Sequence, residues 1–125
     1  MEERRKYIRL IESLKIIYTI VDPPPPLKKG CLSEDIGGGG LRFSVEHRLS
    51  KGDTLELEIW LPRQVDSIRA VGEVVWVRES QDVTFKYIVG IQFVEIDPLQ
   101  RGKILNYVRK RVVHHRSDDI SWIDG

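Results

Sequence analysis

Hydrophobic residues recur at every second position along much of this chain. Leu14, Ile16, Tyr18 and Ile20 alternate with Lys15, Ile17 and Thr19, and Leu41, Phe43 and Val45 alternate with Arg42, Ser44 and Glu46. Leu55, Leu57, Ile59 and Leu61 likewise oppose Glu56 and Glu58. A period of two is that of a strand with one buried face. The β-branched run from Val71 to Val77 predicts a further strand, and Phe85, Tyr87, Val89, Ile91 and Phe93 share one parity of a last long one. The first strand is expected to start near Arg9, and five to six strands are visible in all.

Turn and breaker residues divide these runs. Pro23 to Pro26 end the first strand and predict a stiff connector of extended polyproline geometry. Ser50-Lys51-Gly52-Asp53 marks a turn that would join its two flanking strands as a hairpin, and Pro62 stops the strand that follows. The period changes at Asp97-Pro98, where Asp97 can cap a helix and Pro98 can occupy its first turn. Leu105, Val108 and Val112 then share a helical face, with Arg101, Lys103, Arg109 and Lys110 elsewhere on the cylinder. The expected fold is all-β with an added helix, a barrel whose end or edge the helix covers.

Bulk properties narrow the function more than the fold. A length of 125 residues suits one domain, and 41% hydrophobic with 31% charged residues is an ordinary soluble composition. The net charge of +1 argues against a general nucleic-acid-coating role. Cys31 has no partner for an intrachain disulfide, which fits a reducing compartment, and a cytoplasmic setting is expected. Glu12 and Lys15 interrupt the run after the charged start, so neither a leader nor membrane insertion is expected.

Two short motifs carry the candidate chemistry. Arg5-Lys6-Tyr7-Ile8-Arg9 reads Arg-x-x-x-Arg before the first strand, and Asp35-Ile36-Gly37-Gly38-Gly39-Gly40 reads Asp-x-Gly-x-x-Gly before a later one. Guanidinium is always charged, and its planar donor fork matches two phosphate oxygens. Asp35 is expected in an exposed loop. Gly37 to Gly40 are expected to use backbone angles closed to other residues and to leave room for a planar base. His114 and His115 read as complements of a helix C-terminus, and no metal site is assigned. Trp122, in a tail with Asp118, Asp119 and Asp124, reads as folding back on the barrel or serving a partner. No nucleophile motif frames a serine, so no catalytic residue is assigned and no enzyme is expected.

The two motifs in this order, with Gly72-Glu73-Val74-Val75-Trp76-Val77 and Tyr87-Ile88-Val89-Gly90-Ile91-Gln92-Phe93 following, resemble the PilZ domain, a bacterial receptor for cyclic di-GMP. The resemblance runs from about Arg4 through the terminal helix. It departs from the family pattern at Gly37, where serine is usual. It implies a mobile arginine segment over residues 1–9, a six-stranded antiparallel β-barrel with a C-terminal α-helix over 10–116, and an acidic tail over 117–125. It further implies a nucleotide site of Arg4, Arg5, Arg9, Asp35, Gly37 and Gly40, with Trp76 as a secondary contact. Asp35 would accept from guanine N1–H and N2–H, arginine would pair with guanine O6 and N7, and arginine at position 4 would favour two stacked ligands. The implied role is an effector that changes conformation and signals to a protein partner, with no cofactor and no DNA or RNA. The alternative is an interaction module that has lost nucleotide binding.

Overall fold

The computed structural model describes residues 7–114. Among them are seven strands and one helix: β1 (Leu10–Ile11), β2 (Lys15–Ile20), β3 (Leu27–Gly37), β4 (Gly40–Val45), β5 (Thr54–Trp60), β6 (Ile68–Glu79), β7 (Tyr87–Ile96) and α1 (Pro98–His114). β3 joins the two ends of the strand order. Its first half pairs with β2, from Ile20↔Leu27 to Lys15↔Leu32, and its second half pairs with β4, from Ser33↔Phe43 to Gly37↔Gly40. The order β3-β2-β5-β6-β7-β4 therefore returns to β3 and closes a six-stranded antiparallel barrel. β1 is a short extension that continues the line of β2 along β3, through Leu10↔Ile36 and Ile11↔Asp35.

The alternating residues fill the interior as their parity requires. Ile16, Ile36, Leu41, Phe43, Leu55, Ile59, Val74 and Val89 are completely buried, and the Tyr18 and Phe43 rings stack inside with centroids 5.3 Å apart. Between β1 and β2 the ladder is bridged by a side chain. The buried Ser33 hydroxyl accepts from the Leu14 amide at 2.8 Å and donates to the Glu12 carbonyl at 2.6 Å. This satisfies backbone groups that the interrupted pairing would otherwise strand.

Several expectations are corrected. Residues 27–37, where the sequence pattern predicts no strand and Asp35 is expected in a loop, form the closing strand, because β2 and β4 supply backbone partners to a segment whose own alternation is diluted by Lys28, Lys29 and Gly30. The proline run is no extended connector, since Ile20 pairs with Leu27 and the chain must reverse between them. β4 and β5 are not a hairpin: β4 lies between β3 and β7, and β5 between β2 and β6. The turn at Ser50–Asp53 exists, with Asp53 N–H donating to the Ser50 carbonyl at 2.9 Å, but it carries the chain across the barrel. Phe85 falls outside β7, in a loop where the Asp82 carboxylate accepts from the Thr84 and Phe85 amides.

The helix begins as expected, with Arg101 N–H donating to the Asp97 carbonyl at 2.9 Å and Pro98 in the first turn. Its buried centre is Ile104 and Val108; Val108 belongs to the expected stripe, whereas Ile104 does not, and Leu105 and Val112 are half-buried on the flanks. α1 packs against β1 and β3. Among the described residues no helix is long and apolar enough to cross a membrane.

Candidate functional site

Arg9 and Asp35, 26 positions apart in sequence, meet at 2.6 Å, Nη1 to Oδ1. Asp35 is a strand residue with only 8% exposure, which corrects its expected place in an exposed loop. The reason is the β3–β4 ladder: Asp35 stands opposite Arg42, whose Nη2 lies 3.3 Å from Oδ2. Arg42 also lies 3.9 Å from Glu34, and Ser44 Oγ donates to the other Glu34 oxygen at 2.6 Å. One carboxylate thus holds the arginine segment and β4 together. Arg42 was missed in the sequence, although its outward parity directly after the glycine run is a usable signal.

The cross-strand register extends this contact into a row. Asp35 pairs with Arg42, Arg42 with Gly90 and Gly90 with Trp76, across β3, β4, β7 and β6. Phe43, Val89 and Ile91, the neighbours of Arg42 and Gly90, point into the core, so the row lies on the outer face. Three strand spacings place Trp76 about 14 Å from Asp35. The indole covers part of that gap. A Cβ added to Gly90 would come within 2.3 Å of it, so the ring lies over the glycine, and the Arg78 guanidinium sits 4.4 Å from the ring centroid. Together these residues present a carboxylate, three guanidinium groups and an aromatic face.

The glycine run does not do what its sequence suggests. Among the described residues Gly52 is the glycine with a left-handed φ, 97°, and none of Gly37 to Gly40 has one. Those four provide space. A Cβ on Gly37 would lie 2.6 Å from the Ile8 carbonyl oxygen, and one on Gly40 would lie 2.0 Å from the Ile91 carbonyl oxygen. On Gly38 it would approach Leu105 at 2.6 Å and the Tyr7 ring at 2.9 Å. The room expected for a base is taken by the protein itself. Tyr7 rests on the hairpin tip, and Arg101 of α1 donates to its hydroxyl at 2.8 Å.

Arg4, Arg5, His115, Trp122 and the tail over 117–125 lie outside the described residues, as does the side chain of His114. Among the described residues no group of three or more His, Cys, Asp or Glu is placed to hold a metal ion. Burial pushes the Cys31 thiol up to about 12, so it stays protonated at neutral pH and is a poor nucleophile. Glu56 and Glu58 lie along β5, with Lys28 at 3.5 Å from Glu58.

A family model for the PilZ domain matches residues 3–110. The fold is similar to that of the Bacillus subtilis inhibitor of motility (MotI/DgrA), with a TM-score of 0.78 and 21% identity over 92% of this chain and 54% of that one. Escherichia coli YcgR in complex with c-di-GMP is similar at a TM-score of 0.70 and 14% identity, over 90% of this chain and 47% of that one. This chain therefore spans about half the length of each. The isolated PilZ domain of YcgR with c-di-GMP is matched over 90% of this chain and 97% of its own length, at a TM-score of 0.62 and 14% identity. No curated protein sequence matches the chain. With the family model covering most of the sequence and the barrel closed as described, the chain belongs to the PilZ domain family.

Proposed function

We propose that this protein is a receptor for cyclic di-GMP, bound on the outer row by Arg9 and Asp35 with Arg4 and Arg5 from the preceding segment. The observation that carries the reading is the 2.6 Å contact between Arg9 and Asp35, which unites the two motifs at one place. Ionised Asp35 has about four acceptor sites, and Arg9 and Arg42 each approach one oxygen. Guanine N1–H and N2–H can share those oxygens, while the guanidinium groups turn toward phosphate. Arg42, Gly90 and Trp76 extend the surface for a second base. Arginine at position 4 adds charge that supports two stacked ligands, whose phosphates would otherwise repel each other.

No bond is made or broken in this role. Ligand binding would rearrange residues 7–9, now seated on the Gly37–Gly40 hairpin, and that change of surface is what a protein partner would read. Calorimetric titration with cyclic di-GMP, cyclic di-AMP, GTP and GMP tests the proposal. Selective binding of cyclic di-GMP is expected, at two ligands per chain, and Arg4→Leu should lower the count toward one. Equal binding of cyclic di-AMP would remove the role given to Asp35.

One observation favours a second reading, an interaction module without nucleotide. Ile8 fills the space beside Gly37, and Asp35 is already paired with two arginines. A titration with no heat at high protein concentration, from a folded sample, would select this reading.

A further inference from the structure

On another side of α1 lies a groove of about 690 Å³ that the receptor site does not use. One wall is the helix, with Lys103, Asn106, Tyr107, Lys110 and Arg111; the other is the β5–β6 connection, with Leu61, Pro62, Arg63 and Gln64. Four of these residues are cationic and Glu12 is the anion among them. Glu12 is committed: Arg111 Nη2 lies 3.4 Å from Oε1, and the Tyr107 hydroxyl donates to Oε2. Burial and that hydrogen bond push the Tyr107 phenol up, so it remains a donor. Arg63, Lys103 and Lys110 make no ion pair with any described residue.

Arg63 is placed at a conformational cost. Gln64 N–H donates to the Leu61 carbonyl at 3.3 Å, closing a turn with Pro62 and Arg63 at its centre. Arg63 has φ 67°, a position in such a turn that favours glycine or asparagine. A bulky cation therefore stands where a small residue would be less strained. On the helix wall, Lys103 and Lys110 are seven residues apart on one face, about 10.5 Å along the axis. A single phosphate cannot span that distance. An extended chain with acidic residues at alternate positions can, because its like-facing side chains recur about every 6.6 Å, so the first and third lie about 13 Å apart, a span that the flexible lysine stems can meet.

We propose that this groove is a docking site for an extended acidic segment of a partner protein, with carboxylates on Arg63, Lys103 and Lys110 and an apolar side chain against Leu61, Pro62 and Tyr107. The inference names the class of partner that the receptor reading requires and rests on that reading for the partner's role. Glu12 links the two places. Its amide donates to the Glu34 carbonyl at 3.3 Å, beside Asp35, while its carboxylate forms part of the groove. Docking itself is measured without cyclic di-GMP, so failure of the groove and failure of the nucleotide site are separate results.

The test is fluorescence anisotropy of the full chain with a labelled Glu-Leu-Glu-Leu-Glu peptide, its glutamine counterpart, and inorganic pyrophosphate as competitor. The glutamate peptide should bind and the glutamine peptide should not. The double variant Lys103→Glu/Lys110→Glu should weaken binding at least about tenfold, the sum of several small exposed charge interactions. Arg63→Gly should weaken binding several-fold while leaving the unfolding temperature equal or higher, because it relieves the strained turn. Loss of folding cannot imitate that combination. Equal binding of the glutamine peptide, undiminished binding by both variants, or full displacement by equimolar pyrophosphate would overturn the proposal, the last pointing to a small polyphosphate site.

Discussion

At the outer row, Arg9 and Arg42 close on one carboxylate at 2.6 and 3.3 Å, whereas beside α1 four cations line a groove in which, among the described residues, Arg111 alone is ion-paired, with Glu12. The first arrangement holds the fold together. A ligand there must exchange with contacts already made, and its binding free energy is the difference between two sets of interactions. The second leaves charge in excess and gains from any anion that arrives. Paired charges thus favour a switch, because displacement of one partner moves the segment that carries it; unpaired charges favour docking onto a surface that need not move.

The largest expected effect lies at the paired site. Arg9→Ala should weaken cyclic di-GMP binding by about 1.5–3 kcal/mol, the scale of a hydrogen bond to a charged group, or roughly 10- to 150-fold. Lys110→Ala, made beside it, should leave that affinity within about twofold. Calorimetry of both variants separates the two regions. Wild-type affinity in Arg9→Ala would show that the ion pair with Asp35 is purely structural.

Next is the stability of the row without ligand. Asp35→Ala removes the carboxylate between Arg9 and Arg42, whose side chains are 25% and 34% exposed. Their partial hydration limits the loss, so about 1–2 kcal/mol is expected rather than the 3–5 kcal/mol of a fully buried broken pair. Chemical denaturation measures it. Asp35→Asn keeps the volume and one acceptor and should lose less. An unchanged midpoint in Asp35→Ala would place this residue with the solvated charges of the groove.

These two predictions draw on residues of unequal visibility in the sequence. Alternation located β2, β4, β5 and β7 because each has one face in the core, the β-branched run Val71–Val77 located β6, and Asp97-Pro98 marked the helix start. β3 escaped because its regularity comes from partners on both sides, while its own composition is broken by lysine and glycine. The same blindness hid Arg42 and misplaced Asp35, since their meeting is a property of the β3–β4 register. Gly37 to Gly40 were visible as a motif, but whether a glycine supplies an angle or a space depends on what lies above it. Gly52 supplies the angle and Gly40 the space. The groove has no sequence signature, because Arg63 and Lys110 become neighbours only when α1 packs beside the β5–β6 turn.

Gly37 gives a smaller and more pointed test. A serine Cβ there would meet the Ile8 carbonyl oxygen at 2.6 Å, so Gly37→Ser should loosen the seat of residues 7–9 and cost about 1 kcal/mol of ligand-free stability, toward the lower end for overpacking. The new hydroxyl and the released segment should together raise cyclic di-GMP affinity by up to about tenfold, the equivalent of one net hydrogen bond. Denaturation and calorimetry on one sample read both signs. A variant that loses stability without gaining affinity would mean that the seated segment does not compete with the ligand.

The smallest effect is expected at the unpaired site. Lys103→Gln and Lys110→Gln remove charges that make no ion pair with any described residue, so stability should change by no more than about 0.5 kcal/mol. The direction is informative. Like charges along one helix face repel, and the repulsion is screened by salt. Added salt should therefore relieve strain at the groove of the wild-type protein, and the double glutamine variant should lose that contribution because the repulsion has already been removed. At the outer row salt acts in the opposite sense, weakening the attraction of Asp35 for Arg9 and Arg42. The difference between wild type and the double variant, measured as denaturation midpoint against salt, isolates the groove from the row. A variant less stable than wild type at low salt, by more than the error of the fit, would show that Lys103 and Lys110 have anionic partners and that the contrast between the two regions is false.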